Sequence, residues 1–494
     1  MSLPVQAGIR PPGPAPVTVS KPGRSDSVWW LAAVAAAFSL AQLVFVAPHL
    51  GLSWDETVYI SQVSMHAPAA FFDPPRARGV TLLVAPVTLL TSSIHVLRVY
   101  LSVLSGLGLF LALLSWRRLR PAWQLAVAGV FFASLWTTQY YGPQAMPDLW
   151  VGLSSLAAVG LFLRAAQARG RPGWWFLAGA AGCLGAAALV RPGDALYLAG
   201  ALILAVALVP RWRQWPLAIA VVAGFAAGAA DWVVEAYVRF GGPLRRLRLA
   251  GAEQGGFGWH FAIWGELRAL DGPTLCRPCT VAYRYPAISI WWLLLPVLLV
   301  LGALAARRAG LLGSSVLASA CALALAFQYL FLIYYAAPRF LIPAYALAAI
   351  GVSDVVAGLI TGVRPGLRPA AITAVVVILG LQLAVQHAVL VHQVKEKRGY
   401  FGAYARIASD LHQIGVRSPC LIKGDQYIPI AYYAGCESAP SVATVRLHDP
   451  AEPVVILVRN GHPPPAYART WHAYRLRGIS SHLLRVTAWV PVLK

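Results

Sequence analysis

Apolar stretches of roughly 20 residues recur along this chain, each long enough to cross ~30 Å of hydrocarbon. They fall near 28–48, 96–115, 121–140, 147–164, 173–190, 194–210, 215–238, 287–306, 311–335, 340–360 and 369–392. About eleven such stretches predict a mainly α, polytopic membrane protein, because a helix satisfies its own backbone polar groups inside lipid. Composition closes off the soluble alternative. Of the 494 residues, 59% are hydrophobic and 12% charged, too little charge to cover a soluble surface of that size.

Forty Lys and Arg face 18 Asp and Glu, a formal net charge of +22. These basic residues lie mainly in short links between apolar stretches. They therefore read as topology determinants beside anionic lipid, and a nucleic-acid partner is not expected. Arg117, Arg118 and Arg120 fill one link; Arg164, Arg169 and Arg171 another. Arg211 with Arg213, Arg307 with Arg308, and Arg364 with Arg368 fill three more. The alternate links carry chiefly Arg191 and Arg339. The positive-inside rule then puts the first set in the cytoplasm. This requires that 80–90, a short run containing Pro86, lie in the interface rather than cross.

Residues 1–27 are Pro-rich, basic and without periodicity, and read as a disordered cytoplasmic terminus. The transmembrane domain spans 28–392, with outer loops at 49–95 and 239–286. Residues 393–494 form an extracytoplasmic domain. There VVILV (454–458) reads as a buried strand, and CLIKGDQYIPIAYYAG alternates before a helix, giving a small α/β unit.

Cys276 and Cys279 form a CRPC in the second outer loop, and Cys420 and Cys436 lie in the C-terminal domain. Zinc would need a second ligand pair near CRPC, and none is evident. Two structural disulfides in an oxidising exterior remain the open alternative. Cys183 and Cys321, inside apolar stretches, read as small core residues.

The scarce charges on the outer side are the candidate site. Asp55 and Glu56 stand in LSWDETVYIS, Asp73, Arg76 and Arg78 in FFDPPRARG, and Asp148 in YGPQAMPDLW. Arg191 and Asp194 flank the turn in LVRPGDALY, and Arg339 stands in YYAAPRFLIPAY. Singly, each has a structural explanation. Asp55 and Glu56 could cap an interfacial helix, Asp148 could cap its span, and the arginines could anchor at headgroups. Their convergence on one face argues for a site, since charge beside hydrocarbon is costly.

The order of these motifs resembles the GT-C glycosyltransferases. W-D-E-x-x-Y is followed by PPR-x-R-x-V-T-LL, then M-P-D-L, L-V-R-P-G-D and P-R-F-L-I-P-A-Y-A-L. The likeness covers roughly 28–360. It is greatest to the branch of protein O-mannosyltransferases, lipid A aminoarabinose transferases and bacterial arabinofuranosyltransferases. The basic FFDPPRARG segment departs from many relatives, and 393–494 carries no match.

The resemblance implies a GT-C fold and a sugar donor on polyprenyl phosphate, taken from the outer leaflet. It also implies an essential acid at Asp55 and a second at Asp148. Asp55 is then the base for the acceptor hydroxyl, its basicity raised by partial desolvation. Glu56 orients it or binds acceptor. Asp148 holds acceptor or shares a divalent cation with Asp55. Arg191 or Arg339 binds the donor phosphate, with Arg76 and Arg78 as alternatives. The Ala-, Gly-, Arg- and Pro-rich composition of a high-GC bacterium makes mannose or arabinofuranose the expected sugar. The acceptor, whether glycan, lipid or protein, stays open. A lipid-linked sugar flippase and a non-catalytic envelope assembly partner are the competing classes. Clustering of the charges at one surface, and the lack of matching halves, weigh against transport.

Overall fold

The computed structural model describes residues 27–168, 173–277, 279–280, 282–283, 285–439, 453–459, 462–476 and 486–491. The expectation for 1–27 lies almost wholly outside these, as do Arg169 and Arg171. The helices in chain order are α1 (Trp29–Phe45), α2 (Trp54–Ser61), α3 (Gly79–Thr88), α4 (Ile94–Leu114), α5 (Ala122–Ser134) and α6 (Trp136–Tyr141). Then come α7 (Pro147–Gln167), α8 (Gly173–Val190), α9 (Pro192–Leu208), α10 (Trp215–Phe240), α11 (Pro243–Glu253) and α12 (Ile263–Ala269). The last are α13 (Ile290–Arg308), α14 (Leu312–Phe331), α15 (Ile342–Gly362), α16 (Arg368–Gln413) and α17 (Tyr427–Ala434).

Eight of the described helices are long and apolar enough to cross a membrane. Three shorter apolar ones, α1, α5 and α9, fall where three further spans were expected. Most of the run 80–90 forms the short helix α3, with Pro86 inside it. Exposed Trp29, Trp30, Trp174, Trp175 and Trp215 gather at the starts of α1, α8 and α10, where amphipathic rings mark a membrane–water boundary. Glycines permit close approach of α8 and α10. A Cβ on Gly224 would meet the Ala181 carbonyl at 2.4 Å, and one on Gly228 the Gly185 carbonyl at 2.0 Å.

Two expected spans differ from observation. The stretch 121–140 is broken at Leu135, which is extended. Side chains satisfy the backbone groups freed there. Gln386 of α16 accepts from the Trp136 amide at 3.0 Å, Thr138 donates to the Phe132 carbonyl at 2.7 Å, and Gln139 to the Ala133 carbonyl at 2.7 Å. The last stretch does not stop at 392 either. Helix α16 runs unbroken for 46 residues to Gln413. The boundary drawn from hydropathy falls inside it, because helix propensity continues where apolarity ends.

Beyond α16 lies a five-stranded mixed sheet of order β2-β1-β3-β5-β4. The strands are β1 (Leu421–Gly424), β2 (Glu437–Ser438), β3 (Val454–Arg459), β4 (His472–Arg475) and β5 (Val486–Val490). β1 pairs in parallel with β2 and β3, while β5 is antiparallel to β3 and β4. Cys420 and Cys436 are disulfide-bonded across α17, and Cys276 is bonded to Cys279. The Tyr433 hydroxyl of α17 accepts the Leu52 amide of the first loop at 3.0 Å. The sheet domain is thereby tied to the segment that opens α2.

Candidate active site

Helix α2 begins with a capping box. Glu56 at the third position accepts from both the amide and the hydroxyl of N-cap Ser53, each at 3.0 Å. The cap is therefore Ser53 and not Asp55. Glu56 is wholly buried and also accepts the Ala145 amide at 2.9 Å. It forms a two-pronged pair with buried Arg98 of α4. Arg98 in turn donates to the Pro143 and Gly51 carbonyls, each at 2.7 Å. Glu56 is thus no reacting or acceptor-binding group. Its carboxylate clamps α2 to α4 and to the link before α7, which aims Asp55. Glu56→Ala should destabilise the protein by about 3–5 kcal/mol, because Arg98 would be left charged and buried. A thermal melt in nanodiscs checks this, and Glu56→Leu combined with Arg98→Met should recover most of the loss. Single variants that melt like the parent would show that the pair does not hold α2.

Asp55, on the next face of α2, belongs to an alternating ionic chain of seven side chains. Arg76 links Asp73 to Asp55, with Nη2 at 2.7 Å from Asp55 Oδ1. Arg339 Nη2 lies 3.0 Å from Asp55 Oδ2, and its Nε lies 3.4 Å from Asp148 Oδ2. Arg191 Nη1 lies 2.5 Å from Asp148 Oδ1 and 4.0 Å from Asp194 Oδ2. Tyr329 and Gln328 donate to Asp194, each at 2.5 Å. The members come from α2, the first loop, the N-termini of α7 and α9, and the segment before α15. Phe340 lies beneath two of the guanidinium groups, those of Arg191 and Arg339, each at 5.2 Å.

Asp148 is fully buried behind these arginines, so it orients Arg191 and Arg339 rather than reaching an acceptor. Arg78 also leaves the site. It pairs with Glu235 at the end of α10, bonds Gln62 at 2.9 Å and stacks on Phe72. Buried Arg246 of α11 shares Glu235 and donates to the Pro74 and Arg76 carbonyls, so this cluster moulds the PPRAR segment. The expected rise in Asp55 basicity is reversed in this state. Burial does oppose its charge, but Arg76 and Arg339 outweigh that and hold the carboxyl down at about 2.

Two chambers meet at Asp55. One, of about 440 Å³, is lined by Arg76, Arg191, Arg339, Arg277 and Tyr59. The other, of about 330 Å³, is lined by Tyr140, Tyr141, Tyr400, Phe401 and Tyr404. Trp54, Asp55 and Arg339 face both. The segment between α12 and α13, with α12 itself, holds the Arg339 segment in place. Cys276 and Ala336 exchange backbone bonds of 2.9 and 3.2 Å, and buried Glu266 accepts the Ala337 amide at 3.3 Å. Sequence reasoning missed Arg277, which the CRPC disulfide presents to the first chamber, and missed Arg98. An S-x-x-E signature at Ser53–Glu56 was available to assign Glu56 to the cap.

A divalent cation does not fit between Asp55 and Asp148. Their oxygens already face three guanidinium groups, which would repel it. Among the described residues no three His, Cys, Asp or Glu side chains converge on a common point.

The order and packing of the helices are those of the GT-C fold. The chain superposes on ArnT from Cupriavidus metallidurans bound to undecaprenyl phosphate with a TM-score of 0.63 at 13% identity, covering 94% of this chain and 98% of that one. It superposes on the oligosaccharyltransferase AglB from Archaeoglobus fulgidus, in complex with an inhibitory peptide and a dolichol-phosphate, with a TM-score of 0.53 at 12% identity. That match covers 83% of this chain and 64% of AglB. No protein-family profile matches the chain, and no curated protein matches it in sequence.

Proposed function

We propose that the protein transfers a sugar from a polyprenyl-phosphate carrier to an acceptor hydroxyl, inverting the anomeric carbon in one displacement. One observation carries this reading: Asp55 stands where an arginine-lined chamber meets a second chamber, within reach of both. The donor phosphate belongs with Arg339, Arg191 and Arg76, whose forks match its oxygens. The acceptor oxygen attacks the anomeric carbon from the other side. The carbon–oxygen bond to phosphate breaks, its electron pair stays on the phosphate oxygen, and the acceptor proton passes to Asp55. Polyprenyl phosphate leaves as a stabilised anion and needs no acid.

The ionic chain gives this chemistry an order. Before the donor arrives, Arg76 and Arg339 neutralise Asp55. A phosphate that takes over these guanidinium groups frees the carboxylate and adds a negative neighbour, and both effects raise its basicity. Mannose and arabinofuranose remain the proposed sugars. The site face is extracytoplasmic in this reading, since the Arg-rich links lie at the opposite ends of the spans. The test is to incubate the purified protein in liposomes with radiolabelled polyprenyl-phosphate mannose or arabinofuranose and an envelope extract. Labelled product supports transfer. Movement of label across the bilayer without new product would point to a flippase instead.

A further inference from the structure

We infer that the second chamber binds the acceptor as a neutral carbohydrate chain, an assignment that rests on the transfer reading above. The chamber is built differently from its neighbour. Its walls are aromatic, contributed by α6 and by the stretch of α16 that runs on beyond the apolar segment. Tyr400, Phe401 and Tyr404 form a contiguous ring cluster, with centroids 5.6 to 6.1 Å apart. Such faces stack on the C–H face of a sugar ring, much as they stack on other flat apolar surfaces.

Polar groups are also waiting. Uncharged Thr274, Gln144 and Gln426 line the space beside the rings, donors and acceptors of the kind that a hydroxyl-rich ligand uses. Charge argues for neutrality. Among the described residues Lys397 is the only cation of the chamber besides Arg339, and it already pairs with Glu396 at 3.0 Å while lying over the Tyr400 ring. Arg339 pairs with the two aspartates and, in the transfer reading, is taken by the donor phosphate, so it is not free for an acceptor. An anionic acceptor would find no free partner here, whereas the neighbouring chamber holds Arg76, Arg191 and Arg277. At about 330 Å³ the space is at the small end of ligand pockets (~300–1,000 Å³), suited to the terminal rings of a chain rather than to a folded partner.

Equilibrium binding to the full chain in nanodiscs tests this without turnover. The probes are neutral mannose and arabinofuranose tetrasaccharides, a Ser/Thr-rich peptide, and undecaprenyl phosphate. At least one tetrasaccharide should bind, with saturation transfer from protein aromatic protons to its ring protons. Tyr400→Leu keeps the apolar volume but not the aromatic face, and should weaken tetrasaccharide binding at least tenfold. Tyr400→Phe should stay within about threefold of the parent. Undecaprenyl phosphate should bind both variants as it binds the parent, which also shows that they fold. Tetrasaccharide binding indifferent to Tyr400→Leu, binding of the peptide alone, or failure of both tetrasaccharides overturns the inference. Loss of undecaprenyl phosphate binding by the parent would overturn the transfer reading instead, and leave the carbohydrate site standing.

Discussion

Asp55→Asn should lower the proposed sugar transfer by roughly two to four orders of magnitude while undecaprenyl phosphate still binds. Asn keeps the size of Asp and can still accept from Arg76 and Arg339, but it cannot take the acceptor proton. Helix α2 does not depend on Asp55 for its start, since Ser53 and Glu56 form the cap. A fall in activity therefore cannot be traced to a lost cap. The same carboxylate predicts a pH signature. In the donor-free protein its carboxyl is held at about 2, so kcat/KM for the donor should stay flat down to about pH 4. Once phosphate has taken the arginines, the carboxyl titrates higher, and kcat should fall on acidification before kcat/KM does. Single-turnover and steady-state rates across pH decide the matter. Near-normal turnover by Asp55→Asn removes Asp55 from the chemistry, and coincident acid limbs remove the arginine lock.

Arg339→Ala should weaken binding of undecaprenyl phosphate by ~2–5 kcal/mol, roughly 30- to 5,000-fold. Arg339 is the one arginine that touches both Asp55 and Asp148 and faces both chambers. Its loss removes a phosphate fork and also leaves buried Asp148 with Arg191 alone. Arg339→Lys separates these effects. The ammonium keeps the charge balance and therefore most of the thermal stability, but it lacks the planar fork, so donor affinity should remain impaired. Binding measured in nanodiscs, beside a thermal melt, reads both. Unchanged affinity in Arg339→Ala and in Arg191→Ala alike would put the phosphate elsewhere, with Arg76 and Arg277 the remaining cations of that chamber.

The membrane architecture was legible because hydrocarbon imposes a length and a composition on every span. The same rule misjudged 121–140 and the end of α16. Hydropathy cannot see a backbone break whose polar groups are satisfied by Gln386, Thr138 and Gln139. Nor can it see that a helix continues beyond its apolar stretch, where Tyr400, Phe401 and Tyr404 pack together.

At the site, the sequence by itself determined the residue types and where along the chain they stand: Asp55, Arg76, Asp148, Arg191 and Arg339 are scarce charges at the ends of apolar segments, where charge is expensive. It could not divide their labour. Asp55 and Glu56 are adjacent and chemically alike, yet one faces two chambers and the other is buried against Arg98, because successive residues on a helix point about 100° apart. Arg76 and Arg78 are two residues apart, yet one holds Asp55 and the other Glu235. Only the tertiary structure decided these roles, since each depends on partners from 21 to 284 positions away brought together by helix packing.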